Sequence, residues 1–125
     1  NISPYKESLG IPHQLIIILS KDGSPNDVRN ALARFHQKYF AGNAMSIRPL
    51  PLADIAQIIT IDGFKNASEV NSYRTKVMRA TTVTQFLKPY SAEYWPITVQ
   101  NFSHFYTNKD IEGYRSFVKK VYGLQ

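Results

Sequence analysis

The sequence of 125 residues contains no cysteine. This absence excludes disulfide bonds, thiolate metal sites and cysteine nucleophiles, and it leaves the redox compartment open. Long apolar runs are missing as well, since the longest, Leu15–Leu19, is far shorter than the ~20 residues that a helix needs to span a bilayer. We therefore expect no membrane span within this sequence.

Histidine and acidic residues are scarce. The three histidines, His13, His36 and His104, have neither HxH nor HxxxH spacing, so the pattern does not favour a metal site. The nine acidic residues lie mostly at positions that cap helices, which does not indicate a pair of catalytic carboxylates. There is no G-x-S-x-G motif and no glycine-rich phosphate loop after a strand. The sequence therefore predicts a protein that is not an enzyme and has no cofactor.

Basic residues outnumber acidic ones by fifteen to nine, and the net charge of +6 favours anionic partners. The densest groups lie on two predicted helices and comprise Arg74, Lys76 and Arg79 on one and Arg115, Lys119 and Lys120 on the other. Each group is typical of a solvated helix face. Nucleic acid is not an expected partner, because the third strand, QIITI, lacks the aromatic residues on which RNA-recognition modules stack bases.

The chain divides into residues 1–12, a linker or an ordered lead-in rich in proline and glycine, and residues 13–125, a single α+β domain. It begins with Asn1 rather than Met, so we expect it to be a piece of a longer protein. Strands are predicted at His13–Leu19, Met45–Leu52, Gln57–Ile61 and Glu93–Val99. Pro49 and Pro51 predict that the second strand lies at an edge of the sheet or leaves the sheet at Pro49.

Two main helices alternate with these strands. The first begins at Ser24-Pro25, and its apolar stripe is Val28, Ala31, Leu32, Phe35 and Tyr39. The second follows a tight turn at Gly63-Phe64 and an Asn66 cap, and its stripe is Val70, Tyr73 and Val77. A shorter helix is predicted within Thr81–Leu87, a helical turn at Asn101–Tyr106 and a final helix at Ile111–Tyr122.

This order predicts an α+β fold, a ferredoxin-like split βαβ sandwich with a four-stranded antiparallel sheet, two helices on one face and a carboxyl-terminal helical extension. The second face of the sheet is open unless the last helix folds over it. Both alternatives remain, and an open face would be the expected binding surface.

Aromatic residues make up 13% of the chain, and pairs such as Tyr39-Phe40 and Tyr94-Trp95 line either the core or a groove for sugar or peptide. Because side chains alternate along a strand, Tyr94 and Trp95 are not both expected to point inward, and Trp95 is the predicted exception to burial. The candidate binding residues are Arg48, Gln57, Tyr94 and Trp95.

The sequence resembles the carboxyl-terminal domain of tetratricopeptide-repeat lipoproteins of Bacteroidetes that serve gliding motility and type IX secretion (the SprE/PorW type). The resemblance covers most of residues 12–122 and rests on PHQLIIIL, SPNDVRNALARFHQKYF, GFKNASEVNSYRTKV and ITVQNFSHFYTNKDIEGYRSFVKKVY. It implies a non-enzymatic protein-interaction module in the cell envelope, on the periplasmic side, within a larger lipoprotein. Its expected partners are envelope proteins of a secretion or motility complex.

The first two-thirds is also similar to SPOR domains, which are ferredoxin-like modules that bind peptidoglycan glycan strands on their sheet face. The likeness lies at residues 58–77 and in the earlier strand–helix pair. Where SPOR domains usually carry a Q-x-G-x-F type run, this chain reads QLIIILSKDGSP, and about 45 residues follow the SPOR-like unit. This similarity implies peptidoglycan glycan binding as the alternative function.

Overall fold

Four strands and five helices form in the computed structural model, which describes residues 3–124. In chain order they are β1 His13–Ser20, α1 Pro25–Tyr39, β2 Ser46–Leu52, β3 Ala56–Phe64, α2 Ala67–Arg79, α3 Thr81–Thr84, β4 Glu93–Thr98, α4 Val99–Asn108 and α5 Ile111–Val121, with a 3₁₀ turn at Lys88–Tyr90 before β4. This order confirms the ferredoxin-like α+β fold with a helical extension at its carboxyl end.

The sheet has the strand order β2-β3-β1-β4, and every neighbouring pair is antiparallel. The edge position predicted for β2 from its two prolines is therefore confirmed. The other edge strand, β4, contains Pro96. Since proline has no N–H, it is tolerated where the backbone faces away from the neighbouring strand, and these residues leave each edge with fewer donors for an added strand.

One face of the sheet packs against α1 and α2. Leu15, Ile17 and Leu19 of β1 point to this side, together with Ile59 and Ile61 of β3. The helices contribute Val28, Leu32, Phe35, Val70, Tyr73 and Val77, as their stripes predict. These side chains form the first of two hydrophobic cores.

The opposite face is covered by α4 and α5, which decides between the two alternatives that the sequence left open. Ile16 and Ile18 of β1 point to this side. They share a second core with Ile58, Trp95, Ile97, Phe105, Tyr114, Phe117 and Val118. The continuous apolar run of β1 thus serves two cores at once, since alternate residues of a strand face opposite sides.

The junction of β3 and α2 has the geometry that its sequence predicts. Gly63 has φ +113°, and a Cβ at this position would come within 2.6 Å of the Ala44 carbonyl oxygen. Phe64 is buried in the first core. The Asn66 side chain accepts a hydrogen bond from the Glu69 N–H at 2.9 Å, which caps α2.

The first of the two carboxyl-terminal helices, α4, begins earlier than predicted, whereas α5 begins at Ile111 as predicted. Val99 was predicted as the end of the last strand, but α4 begins there, because the Thr98 hydroxyl caps the helix by accepting from the Asn101 N–H at 3.2 Å. The predicted helical turn is therefore part of a ten-residue helix. Val99, placed directly after a buried strand, is itself exposed.

Part of the amino-terminal lead-in packs against this helical layer. Tyr5 is buried in the second core, and its hydroxyl donates a hydrogen bond to Asp110 Oδ2 at 2.8 Å. The Asn101 side chain accepts from the Lys6 N–H at 3.0 Å and donates to the Lys6 carbonyl at 2.9 Å. The lead-in thus joins the start of α5 to the first turn of α4.

Candidate interaction cleft

The four candidate binding residues do not share one face of the sheet. Arg48 is opposite Thr60, Thr60 is opposite Ile16, and Ile16 is opposite Trp95. Since cross-strand partners point to the same side, Arg48 and Trp95 lie at opposite ends of one row on the face of α4 and α5.

Gln57 and Tyr94 belong to the other face. Gln57 is opposite Leu19 and Tyr94 is opposite Ile17, and both of these partners are in the first core. The Gln57 amide also donates to the Lys21 carbonyl at 3.4 Å. The sheet therefore does not assemble the four residues into one surface.

The expectation that Trp95 escapes burial is wrong. Tyr94 is 9% exposed and Trp95 is 5% exposed, although they point to opposite faces of β4. The alternation rule itself holds, but both faces of the strand are covered. Two neighbouring aromatic residues are buried because each has its own core.

Trp95 and its neighbours form a closed polar network at the edge of β4. Arg115 makes a bidentate pair with Glu93, with nitrogen–oxygen distances of 2.8 and 2.7 Å. This pairing lowers the pKa of the Glu93 carboxyl. The Trp95 indole N–H donates to the same carboxylate at 3.2 Å. These groups line a small cleft of about 280 Å³. Their hydrogen bonds to one another explain their arrangement without a ligand.

Arg74 also departs from its prediction as part of a solvated helix face. It is 8% exposed, and its Nε donates to the Tyr94 carbonyl at 2.6 Å. Its guanidinium lies over the Trp95 ring at 5.4 Å from the centroid. Burial lowers its pKa from the ordinary value. Arg74 therefore anchors α2 to the β4 edge.

A second concave surface, larger than the cleft beside Trp95, lies at the carboxyl-terminal ends of α1 and α2. This surface, which we call the helix-end cleft, has a volume of about 490 Å³. It is lined by Phe35, Tyr39, Phe40, Lys76, Arg79, Ala80, Thr81 and Thr82. Its size is in the usual range for ligand sites, and it is apolar with a few polar groups, as such sites are.

An aromatic cluster supports the floor of the helix-end cleft. Phe40 has ring-centroid distances of 5.7 Å to Phe35 and 5.4 Å to Tyr73. The ring centroids of Tyr73 and Phe64 are 5.0 Å apart, and Phe64 belongs to the first core. Because these rings are packed into the core, the floor is held in place without a ligand.

The floor carries no charge at neutral pH. His36 Nε2 and the Tyr73 hydroxyl are hydrogen-bonded to each other beneath Phe40. Burial lowers the pKa of His36 and raises the pKa of Tyr73, so both groups are neutral. The charge of the cleft comes from Lys76, whose Nζ lies 5.3 Å from the Phe40 ring centroid, and from Arg79.

Tyr39 is the exposed aromatic of the cleft. It was predicted as the last residue of the buried stripe of α1, but it is 61% exposed. Tyr39 is the final residue of the helix, and its ring contacts Phe35 at 5.2 Å between centroids. None of the eight lining residues is acidic, and the groups that the cleft offers to a ligand are aromatic rings, two cations and hydroxyls.

The sequence predicts the separate parts of the cleft but not that they lie together. Tyr39-Phe40 was considered for a groove, and Lys76 with Arg79 was the densest basic group besides the last helix. Their positions 36 or more residues apart gave no sign that they meet. The available signal was local: an aromatic pair at one helix end and cations at i and i+3 near the end of the next.

The edges of the sheet are partly occupied by side chains. The Tyr106 hydroxyl donates to the Pro51 carbonyl at 2.7 Å on β2. On β4 the Tyr114 hydroxyl bonds to the Pro96 carbonyl, in addition to the Arg74 contact with Tyr94. Both faces of the sheet are therefore covered, and part of each edge is bonded to side chains of the same chain.

Across residues 3–124 no group of three or more histidine, aspartate or glutamate side chains is placed to hold a metal ion. The helices of the same residues are too short or too polar to cross a membrane. The sequence matches no family model, and no curated protein or solved structure is significantly similar to it.

Proposed function

We propose that this chain is a non-enzymatic protein-interaction module of the cell envelope, part of a larger repeat lipoprotein that serves secretion or gliding motility, and that it binds its partner through the helix-end cleft. The location and the parent protein rest on the sequence resemblance. The cleft is the contribution of the structure. Its partners are envelope proteins rather than small metabolites.

The observation that carries this proposal is a preformed aromatic and cationic concavity whose outermost ring is mostly solvent-exposed. Aromatic residues and arginine are enriched at the centres of protein interfaces, and the helix-end cleft has both. Tyr39 is 61% exposed although it stands on an otherwise buried stripe. Its burial by a partner would remove apolar surface from water without rearranging the core.

Peptidoglycan binding is the alternative function, and it differs in the surface it requires. A SPOR-like mode uses a bare sheet face, whereas α4 and α5 pack on that face here. Two sheet residues test this mode on both faces: Arg48, which is exposed on the face of α4 and α5, and Gln57, which is half-buried on the opposite face. The helix-end cleft and the sheet can thus be altered separately.

Retention assays distinguish the two functions. Three immobilised forms are compared: the unchanged chain, the cleft variant Tyr39→Ser/Lys76→Glu and the sheet variant Arg48→Ala/Gln57→Ala. Each is exposed to detergent-solubilised envelope proteins of the bacterium that encodes the chain and, separately, to protein-free sacculi. We expect the unchanged chain and the sheet variant to retain the same envelope proteins and the cleft variant to lose them.

Two results would overturn the proposal. One is equal retention of envelope proteins by the cleft variant and the unchanged chain. The other is retention on protein-free sacculi that the sheet variant loses, which would establish the glycan alternative. Circular dichroism of all three forms excludes unfolding as the cause, and this control is favourable because Tyr39 and Lys76 are exposed.

A further inference from the structure

We infer that the helix-end cleft recognises an acidic segment of a partner protein, with an apolar side chain of that segment inserted between Tyr39 and Phe40. This inference rests on the proposed function and specifies the chemistry of the partner. It follows from three properties of the cleft: an apolar wall, a charge of one sign and a pair of hydroxyls at its rim.

The apolar wall calls for an apolar side chain in the ligand. Phe35 and Phe40 form the fixed part of the wall, and Tyr39 stands beside them with most of its ring in water. A ligand with charged groups alone would leave the Tyr39 ring in water and would bury no apolar surface against it. A side chain such as leucine or phenylalanine would cover the ring and fill part of the volume of about 490 Å³.

The charge of the cleft calls for acidic neighbours around that side chain. Lys76 and Arg79 line the cleft, and no acidic residue is among its lining residues. The carboxyl-terminal ends of α1 and α2 lie at the same place, and each contributes a partial negative charge of about half a unit. The two full positive charges outweigh these partial charges, so the local field favours anions.

A protein segment fits these features better than a nucleic acid or a phosphate does. Two cations beside a ring are few for a backbone that carries a charge on every unit, where affinity grows with the number of neutralised phosphates. Thr81 and Thr82 at the rim add hydroxyls that can donate to carboxylates or to peptide carbonyls. An acidic peptide with one apolar anchor uses all of these groups.

The test uses a library of random dodecapeptides displayed on phage, selected on the folded chain. We expect selected sequences to be enriched in aspartate and glutamate around a leucine, isoleucine or aromatic residue. A selected peptide is then synthesised with a fluorophore, and its dissociation constant is measured by fluorescence anisotropy at low and high salt. The affinity should fall as salt rises, since the contact includes exposed charges.

Matched variants locate the bound peptide. Lys76→Glu/Arg79→Glu should weaken binding about tenfold or more, as loss and reversal of interfacial charges does. Arg29→Glu/Lys120→Glu makes the same change in net charge at exposed positions outside the cleft lining and should leave binding within about twofold. Lys120, like Lys76 and Arg79, lies in the last turn of its helix, so the control variant also removes a cation from a helix end.

The apolar half of the site has its own pair of variants. Tyr39→Ser should weaken binding about tenfold, in the range of a central aromatic contact at an interface. Val99→Ser removes an equally exposed apolar side chain from the start of α4 and should have no effect. Both residues are exposed, so neither variant removes core packing.

The inference is overturned by absence of enrichment, by a neutral or basic consensus, or by binding that the Lys76→Glu/Arg79→Glu pair leaves unchanged. These results differ from failure of the proposed function. If envelope proteins are lost by the cleft variant while the peptide consensus is not acidic, the interaction site stands and its ligand chemistry is wrong. If envelope retention does not depend on the cleft, the function itself is wrong.

Discussion

His13 and His36 are fixed in their neutral forms by the groups around them. The Ile11 carbonyl, at 2.7 Å, can only accept, so His13 Nδ1 carries the proton. Its Nε2 then accepts from the Tyr122 hydroxyl, also at 2.7 Å. His36 Nε2 is hydrogen-bonded to the Tyr73 hydroxyl, and its ring lies beside Phe40 of the helix-end cleft. Burial lowers the pKa of each imidazole, against a smaller opposing effect of the Ile11 bond on His13.

The pKa shifts of His13 and His36 predict that stability falls in mild acid. The unfolded chain, with histidine pKa values near 6.5, binds more protons than the folded chain between that value and the lowered folded values. Stability is therefore complete above about pH 6.5 and decreases below it, by at most about 1.4 kcal/mol per pH unit for each histidine. Urea unfolding at pH 7.5, 6.5 and 5.5 measures this slope.

A non-titrating variant provides the control for this pH dependence. His13→Asn/His36→Asn keeps a donor and an acceptor at each position, and we expect lower stability at pH 7.5 with a flatter curve down to pH 5.5. The Glu93 carboxyl, whose pKa is lowered by Arg115, affects stability only below its ordinary range and does not interfere. A variant curve as steep as that of the unchanged chain would show that other groups cause the loss.

At the scale of secondary-structure elements, the lead-in and the two carboxyl-terminal helices depend on one another. Asn101 is buried in the first turn of α4, and its amide bonds both the N–H and the carbonyl of Lys6. Tyr5 inserts its ring against Tyr114, at 4.9 Å between centroids, and bonds Asp110, the cap of α5. Residues near the start of the chain thus hold the layer that closes the second sheet face.

Breaking the bonds of Asn101 should loosen this layer. We expect Asn101→Ala to lower the free energy of unfolding by about 1 to 3 kcal/mol, because it removes two hydrogen bonds to the Lys6 backbone. Tyr5→Phe, which keeps the ring and loses one bond, should cost about 1 kcal/mol. Urea unfolding monitored by circular dichroism gives both values.

The exposed Asn43 supplies the reference substitution for this comparison. Asn43→Ala should change the free energy of unfolding by no more than about 0.5 kcal/mol, as surface substitutions usually do. If Asn101→Ala is as mild as Asn43→Ala, the lead-in does not stabilise the helical layer. Faster amide exchange in α4 and α5 for Asn101→Ala alone would place the loss in that layer.

The elements themselves could be predicted from the sequence because their signals are local. An unbroken apolar run located β1, periodicity located α1, prolines placed β2 at an edge, and Gly63 with Asn66 marked the turn into α2. The second core could be predicted only in part. The run LIIIL in β1 shows no alternation, which is typical of a strand covered on both faces, but it does not say which element covers the second face.

The site was less accessible from the sequence, because a cleft is a product of packing. Tyr39 fits the stripe of α1 by its spacing, and only the packed structure shows that its ring is exposed to solvent. Arg74 and Lys76 stand two residues apart on α2, yet one is buried against β4 and the other lines the cleft. The sequence alone does not show which of two such neighbours is buried and which lines a cleft.

At the scale of the whole molecule, the sheet is enclosed and the binding surface is displaced to the helix ends. Covered faces leave only the edges of β2 and β4 for pairing with another chain, and an exposed edge is a template for aggregation. Pro49, Pro51 and Pro96 remove donors from these edges. This arrangement would let the molecule expose an aromatic cleft for binding without also exposing a sheet edge that promotes aggregation.

Restoring donors to the β2 edge should therefore promote self-association. Pro49→Val/Pro51→Val introduces two N–H groups and two residues of high β propensity on an edge strand, while the pairing of β2 with β3 is unchanged. We expect this variant to form oligomers or aggregates at concentrations where the unchanged chain does not, measured by light scattering and sedimentation velocity. Pro89→Ala, at an exposed position in the 3₁₀ turn, is the matched loss of proline and should behave as the unchanged chain does. Equal association of the two variants would mean that the edge prolines do not protect the sheet, and that its protection comes from bonds such as that of Tyr106 to the Pro51 carbonyl.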